Sequence, residues 1–143
     1  MPPVLTLKVI LDTCILKLAT LPQDNNLSAL IVEMGLRGLY EWWVSPSILE
    51  EYIDVLSDEP EFLTEITEKV QVCYPLTVLS VIRHEPDNRF IETAFAVRAD
   101  FLITVNTAKG HFDQKRYGLL HISTPGQFVE ESIVQPLLKK LYE

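Results

Sequence analysis

Three carboxylates stand at positions where an α/β protein would gather polar side chains. Asp12 directly follows the apolar segment VIL, Glu51 lies in SPSILEEYIDVL, and Asp87 lies in EPDNRF. Like charges gathered at one edge of a sheet repel each other unless a cation neutralises them. Mg²⁺ and Mn²⁺ prefer oxygen ligands, and such a metal can activate water and stabilise the leaving oxygen at phosphorus. The three acids therefore indicate metal-assisted hydrolysis of a phosphate ester.

Each acid also has an interpretation that needs no metal. Asp12 is well placed to cap a helix after the first strand, and Asp87 would interact favourably with a helix dipole. Glu51 borders the apolar face of its helix, while Glu50 points further toward water. Taken alone, Glu51 would be interpreted as a solvated residue at the flank of the helix. The combination of three acids near one sheet edge is what favours a metal.

Short apolar segments alternate with helical ones along the chain. The apolar segments predict strands at 8–11, 42–45, 77–82, 101–104 and 119–123, and helical spacing predicts helices within 27–39, 48–56, 61–72, 90–97, 125–129 and 133–141. The strands do not alternate cleanly with polar residues, which is typical of strands buried on both faces of a parallel sheet. This order predicts an α/β fold that binds ligands outside the carboxyl ends of its strands.

Length and composition predict one globular domain over residues 1–143. The chain has 12 Lys and Arg against 20 Asp and Glu, a net charge of −8, which disfavours broad, non-specific adhesion to nucleic acid. No apolar run approaches the roughly 20 residues of a membrane span, and the N-terminal segment does not resemble a secretory signal. We therefore expect a cytoplasmic protein that does not enter a membrane.

Other catalytic motifs are missing from the sequence. It contains no glycine-rich dinucleotide or P-loop motif and no GxSxG elbow. His84, His111 and His121 lack the spacing of common metal motifs and are interpreted as surface or core residues. A phosphatase or phosphoacceptor domain with Asp12 as nucleophile ranks third among our hypotheses, because the second acid that it requires is missing and Cys14 stands two residues on.

Taken in order, these segments resemble the PIN domain family, which includes the VapC-type ribonuclease toxins of toxin–antitoxin pairs. VILDTCIL resembles the opening strand with its first catalytic acid, Asp12, and SPSILEEYIDVL resembles the second motif, with Glu51. EPDNRFIETAFAVRADFLITVN resembles the third motif, with Asp87, and LLHISTPGQF resembles the closing strand. The resemblance implies a three-layer α/β/α sandwich around a parallel sheet of four to five strands. It also implies that Asp12, Glu51 and Asp87 hold Mg²⁺ or Mn²⁺.

The sequence departs from the commonest family pattern after the fourth predicted strand. Many PIN domains carry a fourth acid in a Thr-x-Asp pattern, whereas this chain has Thr104, Val105 and Asn106. The segment TVNTAKGHF resembles a branch with Thr-x-Asn followed by a Lys/His/Phe element. The resemblance implies that Thr104 and Asn106 belong to the catalytic site, with Asn106 holding a metal-bound water. Because an amide supplies no charge, we expect a weaker or single-metal site.

The leading hypothesis is a metal-dependent endoribonuclease that cleaves single-stranded or looped RNA. Lys109, His111, Lys115 and Arg116 would bind its phosphates, although a solvated charged loop explains these residues equally well. The family also implies a homodimer and, for a toxin of a type II pair, a cognate antitoxin. Segment 133–141 would either make such a contact or cover the core. The alternative is a PIN-fold module that binds RNA or protein and has weak or lost nuclease activity.

Overall fold

The computed structural model describes residues 7–142, so the segment assessed for a secretory signal begins outside the described residues. A sheet lies at the centre of the fold. Its strands are β1 (Lys8–Leu11), β2 (Glu41–Val44), β3 (Gln71–Val72), β4 (Phe101–Ile103), β5 (Arg116–Tyr117) and β6 (Leu120–Ser123). They lie in the order β3-β2-β1-β4-β6-β5, with β5 antiparallel to β6 and every other pair parallel. The strand order reverses at β1, so the carboxyl ends of β1 and β4 border the crevice where such sheets bind ligands.

Helices pack against this sheet to form an α/β sandwich. They are α1 (Thr13–Ala19), α2 (Leu27–Leu36), α3 (Pro46–Val55), α4 (Pro60–Lys69), α5 (Asn88–Val97), α6 (Pro125–Val129) and α7 (Gln135–Leu141). A 3₁₀ turn (Glu85–Asp87) precedes α5, and a π-helical turn (Glu130–Val134) precedes α7. Helix α5 packs on β1, β2 and β4, and α2 packs on α1, α4 and α6. The predicted α/β fold is confirmed, with six strands instead of four or five and one antiparallel edge.

The starts of two helices follow from the residues that precede them. Ser45 accepts a hydrogen bond from the Ile48 amide at 3.3 Å, and a proline opens the first turn of α3. Thr124 and Gln127 form a reciprocal capping box at the start of α6. Such caps satisfy amides that a helix leaves unpaired at its first turn. The first of them fixes where α3 begins and therefore where Glu51 lies.

The predicted strand at 77–82 is wrong. Within residues 7–142 this segment joins no strand of the sheet, and the strand beyond β2 is β3 instead. The amides of Val81 and Ile82 both donate to the side-chain oxygen of Asn88, each at 2.9 Å. Because a buried carboxamide satisfies these amides, the segment needs no neighbouring strand.

The C-terminal helix also differs from the expectation that it covers the core. No residue of α7 is buried, and Leu137, Leu138 and Leu141 are exposed. Phe128 of α6, fully buried, closes the core at this end of the sheet. No helix within residues 7–142 combines the length and the apolar character needed to cross a bilayer.

A buried tyrosine connects α3 to the end of β1. The hydroxyl of Tyr52 donates to the carbonyl oxygen of Leu11 at 2.5 Å and accepts from Trp42 Nε1 at 3.3 Å. Tyr52 has no exposed surface. Because Leu11 precedes Asp12 and Tyr52 follows Glu51, this bond sets the position of one acid relative to the other.

We expect Tyr52→Phe to lower the free energy of unfolding by about 1–3 kcal/mol, because two buried polar groups lose their partner. Urea denaturation followed by circular dichroism measures this loss. Tyr142→Phe is the matched control, since Tyr142 is 87% exposed. A loss for Tyr52→Phe no larger than that for Tyr142→Phe would contradict the role given to this bond.

Candidate metal centre

Asp12 lies at the carboxyl end of β1 and is only 3% exposed. Its side chain does not cap α1, so the capping interpretation is wrong. Oδ2 instead accepts hydrogen bonds from the Thr104 hydroxyl at 2.6 Å, the Cys14 thiol at 3.4 Å and the Asn106 amide at 3.4 Å. All three bonds end on the same oxygen, which leaves Oδ1 as the oxygen available to a cation.

Thr104 links the end of β4 to Asp12. Its hydroxyl is fully buried, donates to Asp12, and accepts from the backbone amide of Asn106 at 2.9 Å. The predicted residues Asp12, Thr104 and Asn106 are therefore in direct contact. Burial, followed by the charge of Asp12, raises the pKa of Cys14 to about 11. The thiol stays protonated at neutral pH and acts as a donor to Asp12, which does not suit a nucleophile.

Glu51 lies within electrostatic reach of both aspartates. Burial raises the pKa of Asp12 above its ordinary value of 3.8, and the charge of Asp87 raises it further while the Thr104 hydrogen bond lowers it. The pKa of Glu51 is also raised. Burial is the main cause and the charges of Asp12 and Asp87 add to it, whereas a hydrogen bond with the Thr13 side chain lowers this pKa. Glu51 is half-buried, unlike its exposed neighbour Glu50. The structure thus brings the three predicted acids within electrostatic reach of one another: the charge of Asp87 disfavours ionisation of Asp12, and the charges of both aspartates disfavour ionisation of Glu51.

Asp87 ends the 3₁₀ turn before α5 and contacts two histidines. Its Oδ1 lies 3.3 Å from His84 Nδ1, and its Oδ2 lies 2.9 Å from His111 Nδ1. The two imidazole rings lie 4.7 Å apart between centroids. His111 was expected among the substrate-binding residues, and the structure places it against Asp87. His84 was missed; its spacing of three residues before Asp87 was the available signal.

Backbone and side-chain hydrogen bonds hold the two histidine-bearing loops. Asn88, only 1% exposed, donates from its amide to the carbonyl oxygens of Ile82 and Glu85 at 3.0 and 3.1 Å. The amide of His84 donates to the carbonyl oxygen of Gly110 at 2.8 Å, next to His111. The loop before α5 and the loop after β4 are thereby joined at the site.

The predicted phosphate-binding cations occupy different places. Lys109 and Lys115 are exposed in the segment after β4, and Lys109 lies two residues from His111. Arg116 belongs to β5 rather than to the loop, and it pairs with His121, which also pairs with Phe101 at the start of β4. Arg116 therefore lies toward the amino ends of the parallel strands, away from Asp12.

The donor set fits a hard divalent cation. Carboxylate oxygens of Asp12, Glu51 and Asp87 are the ligand type that Mg²⁺ and Mn²⁺ prefer. The side chain of Thr13 is buried, follows Asp12 directly in the chain, and interacts with the carboxyl group of Glu51, whose pKa it lowers. Asp12, Asp87 and Glu51 are the residues that would hold the ion.

A protein-family model described as the PIN domain matches residues 8–108 of the chain. The matched region runs from β1 past β4 and contains the three acids, Thr104 and Asn106. It also contains His84 but ends before His111. No curated protein matches the chain.

We expect Asp12→Asn to be more stable than the original protein at pH 7 in EDTA. An acid whose pKa is higher in the folded than in the unfolded protein loses stability as pH rises from its ordinary pKa through the raised value. The advantage of Asp12→Asn should therefore shrink as pH falls through the raised pKa and vanish below the ordinary pKa of 3.8, where Asp12 becomes protonated in both states. Urea denaturation across this pH range measures it. Exposed Asp24→Asn serves as control, and a pH-independent effect of Asp12→Asn would contradict the account.

Proposed function

The chain belongs to the PIN domain family, and from this membership we propose that it is a metal-dependent endoribonuclease that cleaves single-stranded RNA. PIN domains are nucleases as a class and typically require divalent metal ions. The observation that carries the proposal is the gathering of Asp12, Glu51 and Asp87 beside the buried Thr104 at the switch point of the sheet.

The protein side of the reaction follows from the contacts of these residues. A Mg²⁺ or Mn²⁺ ion held by Asp12, Asp87 and Glu51 supplies a Lewis acid and an activated water. Thr104 orients the carboxylate of Asp12 through a charge-assisted hydrogen bond at 2.6 Å. Asn106, half-buried at the edge of the site, holds water with its amide. Glu51 faces partly toward solvent, where a phosphodiester can approach.

We propose that local cations bind RNA despite the net charge of −8. Lys109 and Lys115 are exposed in the segment that follows Asn106, so a strand crossing the site would pass near them. His111 is better assigned to Asp87, and Arg116 would reach only a part of the RNA that lies far from the acids. A single strand bends into such a crevice more easily than a duplex.

The exposed leucines of α7 support a protein partner. Leu137 is 56% exposed and Leu141 is 76% exposed, on a helix that has no buried residue. We propose that this helix takes part in a homodimer or, if the protein is the toxin of a type II pair, in contact with a cognate antitoxin. An antitoxin that blocks the acidic site would place a basic side chain against it.

A second candidate function is an RNA- or protein-binding module with weak or lost nuclease activity. One observation favours it: the position of the fourth family acid holds Asn106, whose amide donates to Asp12 Oδ2 instead of adding a charge. Retention of Asp12, Glu51 and Asp87 favours the nuclease.

Cleavage of a fluorogenic single-stranded RNA of mixed sequence tests the nuclease directly. With Mn²⁺ or Mg²⁺ we expect cleavage that EDTA abolishes and that Asp12→Asn lowers by more than about 100-fold, because a metal ligand contributes more than its supporting residues. Exposed Asp24→Asn should cleave like the original protein. Cleavage that survives Asp12→Asn would remove Asp12 from the mechanism, and a folded protein that binds Mn²⁺ without cleaving any RNA would favour the binding module.

Asn106→Asp should restore the fourth acid and strengthen Mn²⁺ binding by about tenfold or more. Without metal the same change should lower the melting temperature, because a carboxylate replaces a donor that lies 3.4 Å from Asp12 Oδ2. Calorimetric titration and thermal unfolding in EDTA measure the two effects. Asn25→Asp, in the loop before α2, is the control. Unchanged Mn²⁺ affinity in Asn106→Asp would place Asn106 outside the metal centre.

A further inference from the structure

His84, Asp87 and His111 form a cluster of possible metal ligands next to the carboxylates of Asp12 and Glu51. One ligand atom from each of His84, Asp87 and His111 lies within 4.8 Å of the others. Asp87 is buried, whereas His84 is exposed and His111 is half-buried. The carboxylate of the cluster is thus buried, while its imidazole side faces solvent. A cation can therefore reach the cluster from solvent.

This donor set differs in chemistry from three carboxylates. Imidazole nitrogen is a poor ligand for Mg²⁺ and a good one for Zn²⁺, Co²⁺ and Ni²⁺. Three protein ligands, two histidines and a carboxylate, with water in the fourth position, form a common open Zn²⁺ site. We propose that His84, Asp87 and His111 bind a transition-metal ion of the Zn²⁺ class, beside the hard-cation site of Asp12 and Glu51. The inference goes beyond the proposed nuclease and shares with it only Asp87.

The distances suit this ion. In a tetrahedral site with metal–ligand bonds of about 2.0–2.1 Å, neighbouring ligand atoms lie roughly 3.4 Å apart. His84 Nδ1 lies 3.3 Å from one oxygen of Asp87 and His111 Nδ1 lies 2.9 Å from the other. With one ligand atom from each residue, the three atoms lie within 4.8 Å of one another, so closing them around one ion requires shifts of roughly 1 Å. The bond from His84 N to Gly110 O holds the two loops together before any ion binds.

The hydrogen bonds of Asn88 also indicate that the site is formed before any ion binds. Asn88 is almost fully buried, and its carboxamide forms hydrogen bonds with Val81, Ile82 and Glu85, which flank His84 in the chain. The same segment leads into Asp87, so these bonds hold two of the three proposed ligands in place. Outer residues that orient the ligands are characteristic of metal sites.

Cobalt is the probe, because Co²⁺ takes the place of Zn²⁺ and its visible absorption reports four-coordinate geometry. We expect the metal-free full chain to bind one equivalent of Co²⁺ with intense visible bands, which Zn²⁺ removes and excess Mg²⁺ does not. His84→Ala and His111→Ala should each weaken Co²⁺ affinity by about 10-fold to 100-fold or abolish the bands. His121→Ala is the matched control, since the ring of His121 packs on Phe101.

Asp12→Asn separates this inference from the nuclease. It should retain the Co²⁺ bands while losing RNA cleavage. Retained cleavage would remove Asp12 from the proposed mechanism and would not bear on the transition-metal site, whereas loss of the Co²⁺ bands would count against that site's independence from Asp12. Thermal unfolding verifies that each variant folds. If His111→Ala does not fold, the Co²⁺ titrations of His84→Ala and His84→Gln test the site instead, because His84 is exposed. Absence of four-coordinate bands in the original protein, or bands that persist in folded His84→Ala and His84→Gln, would overturn the inference.

Discussion

Concentrated, partly desolvated negative charge at the carboxyl ends of β1 and β4 is the constraint on which this structure depends. Burial raises the pKa of Asp12 and of Glu51, and the charge of Asp87 acts on both. Left alone, this arrangement would cost the folded state stability at neutral pH. Hydrogen-bond donors that contact Asp12 Oδ2 and imidazoles that contact Asp87 offset part of this cost. A bound divalent cation would neutralise the remaining negative charge.

Three separate elements deliver the acids, and buried polar contacts hold each one. Tyr52 ties α3 to the carbonyl of Leu11, Thr104 ties the end of β4 to Asp12, and Asn88 holds the loop before Asp87. Hydrogen bonds of this kind are costly to break because the groups left behind are buried. The geometry of the site is therefore a property of the core rather than of flexible surface loops, which suits a catalyst that must present fixed ligands.

Local sequence patterns predicted the parts of the site that lie at the ends of regular elements. The apolar segment before Asp12 and the segment SPSILEEYIDVL were visible as motifs, and they predicted Asp12 after a strand and Glu51 on a helix, where the structure has them. His84 could not be found this way, because what distinguishes it is its contact with His111, which is distant in the chain and is brought to it by the bond from His84 N to Gly110 O. The apolar residues of 77–82 mimic a strand, and the hydrogen bonds of Val81 and Ile82 to Asn88 leave no trace in the apolar pattern. Helical periodicity likewise predicted α7 but could not tell a core-facing stripe from one that faces outward.

Crystals soaked in Mn²⁺ and measured at the manganese absorption edge would show whether the acids hold a metal ion, because anomalous scattering locates the ion independently of any activity. We expect a peak within bonding distance of the carboxylate oxygens of Asp12 and Asp87, on the side of Asp12 Oδ1, and no such peak in Asp12→Asn crystals. A map without a peak at these carboxylates, at a Mn²⁺ concentration that supports RNA cleavage, would contradict this expectation.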